Sequence, residues 1–239
     1  MKTLSKLCFI FVILCLSTTS KAQILISLLF GDALNSEKIE FGLTTGLNRS
    51  YILDIEESSG LNNFNIGFYF HINMFESSYL STGVLVKTNV GARGMSVYPI
   101  GDPEFDDVYA EGELTKEINY FYVPILWHQR INNRFFLEGG LQIGLRSKAY
   151  DYFDLEDTYG GDLEYERDVG DEYTRFDLGL LGGVGFKFRK QTKSTAVGIN
   201  YYYGLLDVSK VPDMKIKNSS IYLYVRIPIG AKPKEVEVE

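Results

Sequence analysis

FDLGLLGGVGFKF, residues 176–188, alternates two unlike sets of side chains. Phe176, Leu178, Leu180, Val184, Phe186 and Phe188 fall on one side, and Asp177, Gly179, Gly183, Gly185 and Lys187 on the other. Successive side chains of an extended chain point to opposite faces, so period-two patterning over this length predicts a strand between two different environments. Seven further runs share the pattern, at 38–49, 63–73, 79–93, 117–130, 134–148, 195–205 and 215–227. In 79–93, Leu80, Val84, Val86, Val90 and Ala92 alternate with Ser81, Gly83, Lys87, Asn89, Gly91 and Arg93. The run at 117–130 is the least regular, with Pro124 inside it.

The connections alternate as well. Runs one and two are joined by about a dozen residues, runs three and four by a long acidic stretch, and runs five and six by the longest loop, 149–173. The intervening turns, around Met74–Ser78, Asn132-Asn133 and Arg189–Lys193, are short. Long connections at one end and short at the other are the mark of a membrane barrel with long outer loops and short periplasmic turns. The expected fold is all-β: an eight-stranded antiparallel up-and-down transmembrane β-barrel at 38–228, with a short pre-barrel segment at 23–37 and a charged periplasmic tail at 229–239.

A soluble barrel would also alternate, with apolar residues inward. Two features favour lipid outside. The polar face is rich in glycine and charge, which suits the crowded lumen of an eight-stranded barrel. Aromatics also gather at both ends of the apolar face: Phe64, Phe121, Phe176 and Tyr203 towards the outer rim, and Phe41, Trp127, Phe135 and Phe188 towards the inner rim. At about 3.3 Å per residue and a tilt near 45°, Phe176 to Phe188 spans roughly 28 Å, matching two girdles around an apolar band.

The N-terminus fits export. Lys2 and Lys6 precede the apolar run Leu7–Leu16, and Ser20-Lys21-Ala22 offers small residues where a signal peptidase reads. Cleavage after Ala22 is expected, placing the chain in the outer membrane. A spanning helix needs about 20 apolar residues, more than this run supplies. Both cysteines, Cys8 and Cys15, leave with the signal, so disulfide and thiol chemistry are excluded. The 217 residues remaining (239 − 22) keep 21 of 24 bases against 31 acids, a net charge near −10 (21 − 31). An acidic exported chain is a poor nucleic-acid binder.

Five segments carry a resemblance: FGLTTGLN (41–48), YFYVPILWHQRI (120–131), FFLEGGLQIGL (135–145), FDLGLLGGVGFKF (176–188) and VGINYYYGLLDV (197–208). LLFGDALNS (28–36) looks like a lead-in found in part of the same group. In order and spacing the chain resembles the PorT-like outer-membrane β-barrel proteins, the outer membrane protein beta-barrel domain group of Gram-negative bacteria. The Tyr-x-x-Val-Pro-Ile-Leu pattern around Pro124 is the most distinctive. The resemblance implies fold and location. A member type supports protein secretion, and secretion components are its implied partners. Such barrels usually end on an aromatic residue read by the insertion machinery; here the last strand closes at Ile227-Pro228 and GAKPKEVEVE (230–239) follows.

Three features could carry chemistry. His71 and His128 fall on the lumenal face near the periplasmic end. Lipid-modifying barrels work on the outer leaflet, and no nucleophile motif accompanies either histidine, so packed histidines are expected and no catalytic residue is assigned. The stretch 151–173 holds ten acids and one base, Arg167. Asp154, Glu156, Asp157 and Asp162 are close enough to share Ca²⁺, but calcium-loop spacing is absent. A solvated acidic loop is expected, with no metal or cofactor; a cation bridging it to lipopolysaccharide phosphates is the rival. The third feature is a lumenal charge network: Glu40, Glu138 and Asp177 against Lys87, Arg93, Arg146, Lys148, Arg175, Lys187 and Arg226. Enclosed charges need partners.

The function expected is a non-enzymatic outer-membrane barrel presenting acidic loops outside, in contact with outer-membrane lipid, lipopolysaccharide and the barrel-insertion machinery. The alternatives are an accessory of protein secretion, a lipid-modifying enzyme and a small transport barrel.

Overall fold

The computed structural model describes residues 35, 36, 38–53, 55, 58–156, 162–190, 193–212 and 214–230, excepting the side chains of Glu156 and Asp162. The signal segment, most of the pre-barrel stretch, Asp157 and the tail from Ala231 lie outside them. Among the described residues there are nine strands: β1 (Ile39–Ile52), β2 (Ser59–Phe75), β3 (Ser78–Ser96), β4 (Glu113–Arg130), β5 (Phe135–Glu156), β6 (Asp162–Asp168), β7 (Phe176–Lys187), β8 (Ala196–Gly204) and β9 (Asn218–Pro228). A helix, α1 (Pro103–Tyr109), lies between β3 and β4.

Every pairing is antiparallel. The ring runs β1-β2-β3-β4-β5-β7-β8-β9 and closes where β9 meets β1, from Gly42↔Pro228 to Ile52↔Asn218. Closure leaves the ring without an edge. The eight ring strands fall on the eight alternating runs, differing at the ends; β9, for example, begins at Asn218, three residues into the run 215–227. β6 is outside the ring, pairing only with the far end of β5, from Tyr150↔Asp168 to Glu156↔Asp162. The stretch 149–173, expected as one loop, is therefore largely a ribbon.

Short turns close one end. Asn132 makes the tightest by accepting the backbone N–H groups of Arg134 and Phe135 on Oδ1, the local bond that suits Asn to turns. Pro124 sits where β4 can spare a donor. The β3–β4 ladder makes no pair between Thr82↔Ile125 and Leu85↔Tyr122 while keeping its register, so β3 asks no N–H of residue 124.

Towards the short turns, apolar residues face out and polar ones in. Towards the long connections, β3, β4 and β5 exchange their faces, while β1 and β9 keep Asn48, Ser50, Asn218 and Ser220 buried. β3 makes the exchange with a bulge between Leu85 and Thr88: Val86 and Lys87 are both exposed, while Val90 and Ala92 beyond are fully buried. β5 makes it at Ser147, where Asn119↔Lys148 is followed by Tyr120↔Arg146. Below the bulge Leu141, Ile143 and Leu145 face out; above it Ala149, Asp151 and Phe153 face in. β4 keeps its phase and exchanges residues instead, with Phe121, Ile125 and Trp127 out but Leu114, Ile118 and Tyr120 in. A bulge turns every following side chain to the other face.

Val90, Ala92, Met95, Leu114, Ile118, Ala149, Phe153 and Val169 thus form an apolar core within the upper half. The helix α1 closes it from the side. Asp102 caps α1 by accepting the N–H of Glu104, and Pro103 occupies its first turn. Phe105 then lies against Tyr109, Phe153 and Tyr165 with ring centroids 4.4, 5.4 and 4.6 Å away. Inside this core Lys116 Nζ meets Asp151 Oδ2 at 2.6 Å, and Tyr98 donates to the same oxygen at 2.8 Å.

Candidate functional site

The lower lumen is organised around one carboxylate. Glu138, on β5, is buried and receives Arg226 Nη1 on Oε2 at 2.6 Å and Arg226 Nη2 on Oε1 at 3.0 Å. Tyr224 and Asn200 donate to Oε1 at 2.8 and 2.7 Å, and His128 Nδ1 lies 3.3 Å from Oε2. Five contacts from three strands, β4, β8 and β9, saturate the roughly four lone-pair sites of a carboxylate. The Arg226 guanidinium also sits 4.4 Å from the Tyr224 ring centroid. A second set joins Glu40 to the Tyr69 hydroxyl, which donates at 2.8 Å, and to His71 Nδ1 at 3.6 Å. Higher up, Asp177 accepts from Tyr122 and Asn218, both at 2.9 Å. Tyr120, Tyr122, Tyr202 and Tyr222 fill the level where the polar lumen gives way to the apolar core.

Of the ten residues expected in a lumenal network, Glu40, Glu138, Asp177, Lys187 and Arg226 are buried inside. Arg146 is half-buried at the β5 bulge, where its Nε donates to the Thr174 carbonyl. Lys87, Arg93, Lys148 and Arg175 are not lumenal; all four are exposed. Lys87 and Arg93 were carried outward by the β3 bulge and Lys148 by the β5 bulge, and Arg175 lies on a bend before β7 begins. Alternation alone does not register an added residue. The interior tyrosines and asparagines, not singled out from the sequence, supply most of the donors.

His71 and His128 are buried side by side, ring centroids 4.8 Å apart. Tyr69, Tyr79 and Phe136 pack against them. Among the described residues no group of three or more His, Cys, Asp and Glu side chains could hold a metal ion. A lumenal cavity of about 40 Å³ is lined by Thr44, Asn65, Gln142, Asn200, Tyr222 and Arg226 among others. That is space for water, not for a larger solute.

On the outside, Phe64, Phe121, Phe176 and Tyr203 at one level, and Trp127, Phe135 and Phe188 at the other, are exposed around an apolar wall. Phe41 is covered on the same wall, packed against Phe68 and Phe70. The family model described as outer membrane protein beta-barrel domain matches residues 27–210. The chain belongs to that family. It is an outer-membrane β-barrel. No curated protein matches it in sequence. Among solved structures it is similar to Ail, the attachment invasion locus protein of Yersinia pestis, at 12% identity and a TM-score of 0.42, covering 81% of this chain and 100% of that one. It is also similar to Neisserial surface protein A (11%, TM-score 0.40, 80% and 99% covered) and to OprG from Pseudomonas aeruginosa (11%, TM-score 0.29, 80% and 91% covered).

In outer-membrane barrels the long connections lie on the outer side. The β4–β5–β6 sheet continues beyond the girdle, with β5 running on for roughly 30 Å past Leu145. Its outer face sets Tyr150 and Tyr152 among Glu113, Glu117, Asp154, Glu164 and Glu166. Burial, and then Glu117 and Glu166, push the Tyr152 phenol up to about 12. A phenol held above its ordinary value stabilises the fold below pH 10, and that contribution disappears as pH rises towards 12. An ultraviolet titration should therefore show one tyrosine ionising near pH 12 that is missing in Tyr152→Phe. Replacing Glu117 and Glu166 by glutamine should lower it only part of the way, because burial is the larger cause. A Tyr152 that ionised at 10 would contradict this packing.

Proposed function

We propose that this chain is a non-enzymatic outer-membrane barrel that holds an acidic, tyrosine-bearing sheet outside the cell as an interaction surface. The observation that carries the reading is the contrast between the two halves. The lower lumen is filled by its own hydrogen-bonded side chains around a cavity of about 40 Å³, whereas the upper half has its own apolar core and a helix packed against it. A transport barrel needs a continuous aqueous path, and eight strands leave little room for one. An enzyme needs a positioned nucleophile or base within reach of substrate; the two histidines are instead enclosed near the periplasmic end. The same reading has the signal removed after Ala22, the insertion machinery seating the barrel, and the tail beyond Pro228 in the periplasm.

Two measurements test it together. The folded protein should migrate differently on a gel before and after boiling and be recovered with the outer membrane. In planar bilayers it should give no discrete conductance steps. Recovery in the soluble periplasm without a gel shift would overturn the membrane reading, and reproducible steps would replace the interaction role with transport. A secretion-accessory role has one observation in its favour, the PorT-like pattern Tyr120–Leu126. Co-purification with secretion components would support it, and clean recovery of the barrel alone would not.

A further inference from the structure

We propose that Arg49, Lys87, Lys148 and Arg175 form a basic belt that binds the phosphates of outer-leaflet lipopolysaccharide. The proposal rests on the reading that the apolar band spans the outer membrane. Its starting point is the displacement of Lys87, Lys148 and Arg175 out of the lumen. Exposed apolar residues end at Leu47 on β1, Val86 on β3, Leu145 on β5 and Phe176 on β7. Arg49 is two residues above Leu47, Lys87 is next to Val86, Lys148 is three above Leu145, and Arg175 precedes Phe176. Each base thus stands at the step where apolar wall becomes polar, three on ring strands β1, β3 and β5 and Arg175 on the bend that leads into β7.

Height and chemistry agree. An apolar band fixes the depth of a barrel in its membrane, and the residues just beyond it meet the headgroup layer. A cation there has a long aliphatic stem beside acyl chains and a charged head at the phosphates. Arg49 shows this most completely. Below it, Leu47, Phe64 and Leu223 line a groove on the outer wall; level with Arg49 in register stand Asn62 and Ile221. Arg49 donates through Nε to the Tyr51 hydroxyl at 2.8 Å and through Nη1 to Asn62 Oδ1 at 3.0 Å, using two of its five N–H groups. These bonds fix a guanidinium beside an apolar groove on the outer wall. Glu117 is the opposing charge at this level, held between Asn89 and Asn119 near Lys87, so the Lys87 sector is the weakest. The tip above carries Glu113, Glu164 and Glu166 and repels a polyanion approaching from outside. The belt is therefore fitted to phosphate anchored in the leaflet rather than to a long soluble polyanion.

The test uses the full chain folded in detergent, with purified lipopolysaccharide as the probe and thermal unfolding as the readout. The wild type should be stabilised by lipopolysaccharide and clearly less by the same material after dephosphorylation. A base at an anionic surface strengthens binding by about fivefold, so removing four should weaken it by more than about a hundredfold. The variant R49Q/K87Q/K148Q/R175Q should lose the phosphate-dependent increment while keeping its boiled-versus-unboiled gel shift. The charge-conserving R49K/R175K should keep most of the increment. Equal stabilisation by phosphorylated and dephosphorylated material, or an unchanged increment in the quadruple variant, would overturn the belt. Inorganic pyrophosphate in phosphatidylcholine vesicles should give no shift; the same shift there would overturn the commitment to lipid. A wild type with no gel shift at all would instead overturn the membrane reading beneath the proposal.

Discussion

Glu138→Gln should destabilise the folded barrel by about 3–5 kcal/mol, the cost of leaving a buried charge without its partner. Glu138 neutralises Arg226, which enters the lumen from β9 and is itself buried. A glutamine side chain keeps the size but offers one acceptor oxygen and an NH₂ group in place of two carboxylate oxygens. That NH₂ would face the Arg226 guanidinium, itself a donor only. Tyr224, Asn200 and His128 would lose or share their acceptor in the same step.

The carboxylate and the guanidinium act as a unit, so the second half of the experiment is Arg226→Met. Alone it should also destabilise, because it strands Glu138. Combined with Glu138→Gln it should cost clearly less than the two single losses added, since the pair is removed together. Urea unfolding in detergent, followed by the fraction of unboiled protein at the folded position, reads all three variants. Additive losses, or a Glu138→Gln barrel within about 1 kcal/mol of wild type, would mean that water compensates the guanidinium and that the network is not a structural element.

How much of this was visible in the residues depends on height along the barrel. β7 was legible throughout, because Phe176 to Phe188 alternates between lipid and lumen with one break, at Leu181-Gly182, where the leucine is buried inside. β3 was legible only up to Val86. Its apolar residues keep the same spacing through Val90 and Ala92, yet the bulge turns the later ones inward. The spacing is unbroken because the demand on it inverts: below, apolar side chains must meet lipid, and above, they must leave water. β4 satisfies that demand without a bulge, which is why it read as the least regular run. The ribbon of β6 was hidden by composition, since Leu163, Tyr165 and Arg167 alternate with Glu164 and Glu166 in a stretch dominated by acids. The start of α1 did leave a signal, Asp102-Pro103-Glu104, an N-cap followed by proline and an acid in the first turn. For the lumen, alternation places Glu138 and Arg226 on the polar face of their strands. That they meet depends on strand register and on how the ring closes, neither of which is written in either strand alone.

Closure of the ring sets the other large effect. Gly46→Val should prevent the barrel from forming its folded, gel-shifted state. Gly46 faces the lumen on β1 and pairs with Tyr224 across the seam that joins the first strand to the last. A Cβ at this position would lie 2.0 Å from the Leu223 carbonyl oxygen and 2.8 Å from Tyr224 Cα. Both are backbone atoms of a strand held in a continuous ladder, so neither can swing aside as a side chain would. Eight strands curl tightly, and a tight curl brings the inward position of one strand against the backbone of the next. Glycine admits that approach because it carries no Cβ. Val adds two methyl groups beyond the clashing atom, so relief requires β1 and β9 to part, and parting them opens two edges whose N–H and C=O groups have no partner in lipid. Gly182→Ala is the control. It is also a strand glycine, but a Cβ there would lie 3.6 Å from its nearest neighbour, the Glu138 carbonyl oxygen, an ordinary contact. It should fold with a gel shift like that of wild type. Equal folding of both variants would show that the seam is wider than drawn and that glycine is not what closes this barrel. Loss of folding in both would point to a general intolerance of side chains at these glycines rather than to a seam that only glycine can close.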